Sequence, residues 1–83
     1  MQYKVFAIRD RATGLYAQPF YSASVAAAVR MFQDEVNRKD DNNQLFKHPE
    51  DFDLYMFGTF DDNLGTFECG QPAQVAVGKD SKL

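Results

Sequence analysis

Two stretches of this chain spell the same turn. Val5 to Tyr16 reads VFAIRDRATGLY and Met56 to Phe67 reads MFGTFDDNLGTF; in each, an apolar run leads to Asp, three residues follow, and then come Gly, one residue and an aromatic. An Asp in that position hydrogen-bonds the turn backbone, and Gly14 or Gly65 supplies the positive φ that such a loop requires. The pattern predicts two β-hairpins, with strands at about Tyr3–Arg9, Leu15–Phe20, Leu54–Phe60 and Thr66–Cys69. Two copies amount to shared turn chemistry and not to a repeat array.

Between the hairpins, Ser24 is placed to cap a helix over Val25–Asn37, because its hydroxyl can accept a bond from an early backbone N–H. Val25, Ala28, Val29, Phe32 and Val36 then share one face, which should cover the sheet. Arg30 with Asp34, and Asp34 with Arg38, fall four apart on the wetter side, with Arg38 and Lys39 at the negative end of the helix dipole. The run Lys39–Gln44 is too polar to pack and is expected to loop. In LFKHPEDF, Pro49 suits the first position of a short helical turn, with Glu50 and Asp51 in its electropositive first turn and Leu45, Phe46 and Phe52 clamping it to the core.

The predicted architecture is therefore α+β: an antiparallel sheet from two β-hairpins packed on one helix, in the order ββα, short turn, ββ. With 83 residues and no break in composition, residues 1–69 form one domain, near the size at which a single core only just outweighs chain entropy. Residues 70–83 read as a partly ordered tail, within which Ala73–Val77 has strand character suited to a sheet edge.

The search for chemistry is mostly negative. His48, Glu50, Asp51 and Asp53 are all metal-ligand types, but they lack any recognised ligand spacing, so no metal is expected. Cys69 and His48 make a poor nucleophile and base, because no third group is specified to orient them. Gly14, Gly58, Gly65, Gly70 and Gly78 are scattered and form no phosphate or dinucleotide loop. Neither an enzyme nor a cofactor is expected. The lone cysteine predicts a reducing compartment. No secretory leader is expected, since an alternating segment follows Met1, and no run is long enough to cross a bilayer. A formal net charge of −3 argues against a general coat for phosphates.

What remains is an excess of rings, eight Phe and four Tyr. Strict alternation sets Tyr3, Val5 and Ala7 against Lys4, Phe6 and Ile8 on the first strand. On the third it sets Leu54, Met56 and Phe60 against Tyr55, Phe57 and Thr59. Both faces come out apolar, and one helix covers only one. The other is expected to meet a second copy of the chain, with a dimer favoured, loops of the same chain, or stacked bases. For base stacking the candidates are Tyr3, Phe6, Tyr55 and Phe57, with Lys4, Arg9, Arg11 and Lys47 as phosphate contacts.

Two blocks carry a resemblance. Asp10, Thr13, Gly14, Tyr16, Pro19, Phe20, Arg30 and Phe32 form the first, and His48, Pro49, Glu50, Asp51, Leu54, Tyr55, Gly58, Phe60 and Asp61 the second. Over about Tyr3–Glu68 the chain resembles the small nonstructural protein of gokushovirus-type Microviridae, the tailless single-stranded DNA phages. The resemblance implies a phage protein made in the cytoplasm of the infected bacterium and absent from the mature capsid. It also implies a DNA-binding or replication-associated role when synthesis turns to single strands for packaging. It brings no catalytic residues. The expectation is a non-enzymatic accessory to single-stranded DNA synthesis or packaging. The alternative is an interaction module that acts on a host or phage protein.

Overall fold

The computed structural model describes residues 1–83. Its elements are β1 (Gln2–Asp10), β2 (Leu15–Tyr16), β3 (Phe20–Ser22), α1 (Val25–Val36), α2 (Gln44–Lys47), a 3-10 turn (Pro49–Asp51), β4 (Phe52–Asp61), β5 (Thr66–Val77) and α3 (Gly78–Ser81). One antiparallel sheet runs in the order β2-β1-β4-β5, and β3 joins the same side of β1 as β2. The α+β class and the two hairpins expected from the sequence are what the structure shows.

Both turns use the anticipated chemistry. Asp10 accepts from the backbone N–H of Ala12, Asp61 accepts from those of Asn63 and Leu64, and Gly14 and Gly65 adopt φ of 75° and 67°. The second strand of the first hairpin differs from expectation. It is split into β2 and β3 by Ala17–Pro19, because proline has no N–H to offer the ladder.

Ser24 Oγ accepts from Ala27 N at 3.1 Å and starts α1 as expected. Ala28, Phe32 and Val36 enter a fully buried cluster with Phe6 and Leu54, flanked by Val25, Val29, Ile8, Phe20, Phe52, Met56, Val75 and Ala76. The pairs expected along the wet side do not form. Arg38 lies past the helix end and turns to Glu35 at 2.6 Å and Asp40 at 3.1 Å. The backbone N–H of Asn42, and then Arg38, hold the Asp40 carboxyl below the usual carboxylate range.

The polar run 39–44 is not simply a loop. Asn43 is buried, and its amide donates to the carbonyls of Glu35 and Arg38 while its oxygen accepts from Leu45 N. Burial costs such a group little once every bond is made.

The chain's end is more ordered than expected, although the strand anticipated at Ala73–Val77 is present at the sheet edge. The strand expected to stop at Cys69 continues to Val77, and α3 follows. Residues 70–83 therefore belong to the sheet and its cover. Asn37 Nδ2 donates to Ser81 O at 2.9 Å, and Leu83 N returns a bond to Asn37 Oδ1. Lys82 Nζ lies 3.4 Å from the centre of the Phe46 ring. Gly78 lets α3 approach, since a β-carbon there would overlap the carbonyls of Pro49 and Phe52.

Alternation along β4 breaks at Phe57 and Gly58. Val5 pairs with Gly58 and Phe6 with Met56, so Phe57 is an extra residue in a bulge. Gly58 adopts φ of 151°, and a β-carbon on it would overlap the backbone of Glu68. Past the bulge the faces exchange. Phe60 joins the Tyr55 side and Thr59 the helix side, the reverse of the unbroken alternation expected from sequence.

At the opposite end of the sheet, Asp53 is buried and its Oδ2 lies 3.1 Å from Arg11 Nε. Arg11 also donates from its guanidinium to Glu50 O and from its backbone N–H to Asp51 O. The first hairpin is thus tied to the 3-10 turn. Replacing Arg11 by Met strands a buried carboxylate and is expected to cost about 2–4 kcal/mol in denaturant unfolding. Gly58→Ala is expected to cost at least about 2 kcal/mol, through φ strain added to a backbone clash. A cost below about 0.5 kcal/mol for Gly58→Ala would show that the bulge is not held as described.

Candidate functional site

Residues opposite one another across a strand pair share a face. The face away from α1 therefore collects Tyr3, Val5, Ala7 and Arg9 from β1, Tyr16 from β2, Tyr21 from β3, Tyr55 and Phe60 from β4, and Phe67 and Cys69 from β5. Phe57 joins them through the bulge. Its ring and that of Tyr55 each lie 5.5 Å from Tyr16, edge to face. Farther along, Phe60 lies 5.8 Å from Tyr21 and 4.7 Å from Phe67. Beneath the rings Val5 and Ala7 are buried. The rings themselves are only partly sheltered, with Tyr16, Tyr21 and Phe67 exposed at 41%, 52% and 58%. At roughly 200 Å² per aromatic side chain, these three alone leave about 300 Å² open to water, the scale of a functional patch.

Polarity is inverted where the strands run past the core. On the helix side, Lys4, Ser22, Thr59 and Glu68 line up across β3, β1, β4 and β5. On the opposite side of the same stretch stand Tyr3, Tyr21, Phe60 and Phe67. None of these helix-side residues is in the core cluster. Where the sheet carries no core on either side, its polar residues take one face and its rings the other.

Two features mark the ends of the aromatic face. Arg9 forms no ion pair and places its guanidinium carbon 5.8 Å from the centre of the Tyr16 ring, within cation–π range. Nearer the other end is a groove of about 300 Å³ lined by Val5, Pro19, Tyr21, Phe57, Phe67 and Cys69.

The residues expected from sequence divide accordingly. Tyr3, Arg9, Tyr55 and Phe57 lie together on this face. Phe6 does not; it is fully buried at the centre of the core and stacked on Phe20, 5.8 Å away, so no base can reach it. Lys4 points to the helix side. Arg11 is engaged by Asp53, and Lys47 sits on α2, off the sheet. Tyr16, Tyr21, Phe60 and Phe67 were missed. Pairing register would have exposed the first two, but the bulge that moves Phe60 leaves only Gly58 as its trace.

The other chemistry considered from sequence finds little geometry. His48, Glu50 and Asp51 bring ligand atoms within 4.8 Å of one another, all at partly or fully exposed positions. Glu50 and Asp51 already have a structural reason in the first turn after Pro49, and Asp53 is committed to Arg11. Cys69 pairs with Gly58, six residues along β4 from the end near His48, which is roughly 20 Å at strand rise. No helix is long and apolar enough to cross a membrane.

The comparisons agree with one another. A family model described as Phage ORF5 protein matches residues 3–81. Protein ORF5 of Chlamydia phage 1, a gokushovirus, is 39% identical over 64 residues, covering 75% of this chain and 67% of that protein. No solved structure matches. With nearly its whole length matched by the model and that degree of identity to a phage relative, the chain belongs to the Phage ORF5 protein family.

Proposed function

We propose that this phage accessory protein is non-enzymatic and works in the infected bacterial cytoplasm, where it binds single-stranded DNA during its synthesis or packaging. Bases stack on Tyr16, Tyr55 and Phe57, with Tyr3 and Phe60 extending the platform. The inverted polarity of the sheet carries this reading. A helix behind an antiparallel sheet, with open rings in front, is the arrangement by which several nucleic-acid modules splay out single-stranded bases. Stacking also suits an acidic chain, because a ring attracts a base without a field of positive charge. Arg9, poised over Tyr16, supplies the local cation.

A second reading has its own support. The groove beside Tyr21 and Phe67 is almost wholly apolar and carries no charged side chain in its lining, so it offers nothing to a phosphate. It suits a protein side chain better than a nucleotide, so an interaction module acting on a host or phage protein is the alternative.

Titration of a labelled single-stranded oligonucleotide separates the two. With Arg9 as the main phosphate contact, log affinity is expected to fall with log salt at a slope of only about −0.7 to −1.4. Tyr55→Ala or Tyr16→Ala is expected to weaken binding by about 1–3 kcal/mol, and Lys47→Ala to leave it unchanged. With no Trp and four Tyr in the chain, quenching of tyrosine emission provides a label-free check. Absence of binding at both low and physiological salt would leave the interaction module as the reading.

A further inference from the structure

The outer edge of the sheet, β5, is not a clean ladder. Leu54 pairs with Ala76 and Tyr55 with Gln74, so Val75 is an extra residue in a bulge. A bulge spoils an edge as a template for a further strand. Here it also turns two successive side chains, Val75 and Ala76, toward the helix, where both pack against the core cluster as Val29 of α1 does. An apolar floor results between α1 and the last strand.

Two hollows meet on this floor. One, of about 390 Å³, has Val29, Val75 and Ala76 in its lining and Asp80 at its rim. The other, of about 300 Å³, adds Asp34 and Asn37. Gln33, Asp80 and Ser81 line both, so the hollows form one groove between α1 and the end of the chain. Its wall is fixed from behind, where Ser81 Oγ donates to Val77 O at 2.8 Å and Ser81 O accepts from Asn37 Nδ2. Asp34 and Asp80 are exposed and form no ion pair. No Lys or Arg lines either hollow. Of the cations near them in sequence, Arg38 is engaged by Glu35 and Asp40 and Lys82 by the Phe46 ring, while Arg30 and Lys79 stand outside the lining.

We infer that this groove docks an extended segment of another protein that carries an aliphatic side chain and, two residues along, a lysine or arginine. Gln33 and Asp34 lie about 6–8 Å along the helix from Val29. Side chains two apart on an extended chain point the same way and are separated by about 7 Å. The aliphatic group rests on Val29, Val75 and Ala76, and the cationic head reaches Asp34 and Asp80. Gln33, at the junction, offers an amide donor and acceptor to the peptide unit between them. In this chain such a pair occurs only within or at the ends of folded elements: on β1 (Ala7, Arg9), on α1 (Ala28, Arg30 and Val36, Arg38), on α2 (Leu45, Lys47) and where β5 meets α3 (Val77, Lys79). A second copy therefore has no free segment to insert, and the occupant is a different protein. The carboxylates repel phosphate, so the groove is separate in kind from the aromatic face and does not depend on whether that face takes DNA.

Residue-resolved NMR during titration with the end-capped peptide Gly-Ser-Val-Ser-Arg-Ser-Gly tests the inference. Signals of Val29, Gln33, Asp34, Ala76 and Asp80 are expected to move, with those of Tyr16, Tyr55 and Phe57 in place, whatever the outcome of the oligonucleotide titration. The double variant Asp34→Asn/Asp80→Asn is expected to bind about fivefold more weakly with unchanged circular dichroism. The peptide with Glu in place of Arg is expected not to bind, a comparison made on the wild-type chain and so independent of how the variant folds. No movement in the groove at millimolar peptide overturns the inference. So does equal binding of the Glu peptide, undiminished binding by a folded Asn variant, or movement confined to the aromatic face. Movement of the same signals by spermidine at lower concentration than the peptide would make the groove a polyamine site and overturn it as well.

Discussion

One helix is the main cover for the whole sheet, and that disproportion governs the rest of the molecule. The twelve residues of α1 reach about 18 Å, while the twelve of β5 extend about 40 Å at strand rise. The long axis of the protein, 41 Å, is set by the second hairpin. A core therefore forms only where helix and strands overlap, around Phe6, Phe32 and Leu54. The remaining half of the sheet must be made tolerable to water by its own side chains. On the helix side Lys4, Ser22, Thr59 and Glu68 do this. On the other side the chain presents rings, which stability alone does not require.

The bulge at Phe57 converts that surplus into a surface. Without the extra residue Phe60 would point beyond the helix into water on the polar side, and Tyr21 and Phe67 would lose the ring between them. Gly58 makes the bulge possible, because its φ and the crowding by the backbone of Glu68 both exclude a β-carbon. The aromatic face thus depends on a residue that contributes no contact of its own. Stability at the other end is of a different kind: Arg11, an outwardly plausible phosphate ligand, instead neutralises the buried Asp53.

Local turn chemistry was legible in the sequence wherever the residues acting were neighbours. The Asp10/Gly14 and Asp61/Gly65 turns, the Ser24 cap and the buried stripe of α1 all follow from spacing over a few positions. What escaped were events decided by distant partners. Asn43 is polar yet buried because Glu35 and Arg38 end a helix beside it. Residues 70–72, Gly-Gln-Pro, look like a strand's end, and only the pairing of both flanking segments with β4 carries the strand through them to the anticipated Ala73–Val77. Phe6 resembles its aromatic neighbours in sequence, and only pairing with Met56 and packing on Phe20 place it in the core. That only half of the candidate residues share one face is the natural outcome when side-chain parity is known but bulges and ion pairs are not.

Membership in a phage protein family supplies a setting, and the open ring-bearing face supplies a means of acting within it, one that an acidic chain can use. The most direct test is residue-resolved NMR during titration with a short single-stranded oligonucleotide. The account predicts that the ring signals of Tyr16, Tyr55 and Phe57 move together, while those of the buried Phe6 and Phe32 and the backbone of α2 stay in place. Movement confined to α2 around Lys47, or no movement on the aromatic face at saturating protein and oligonucleotide, would contradict it.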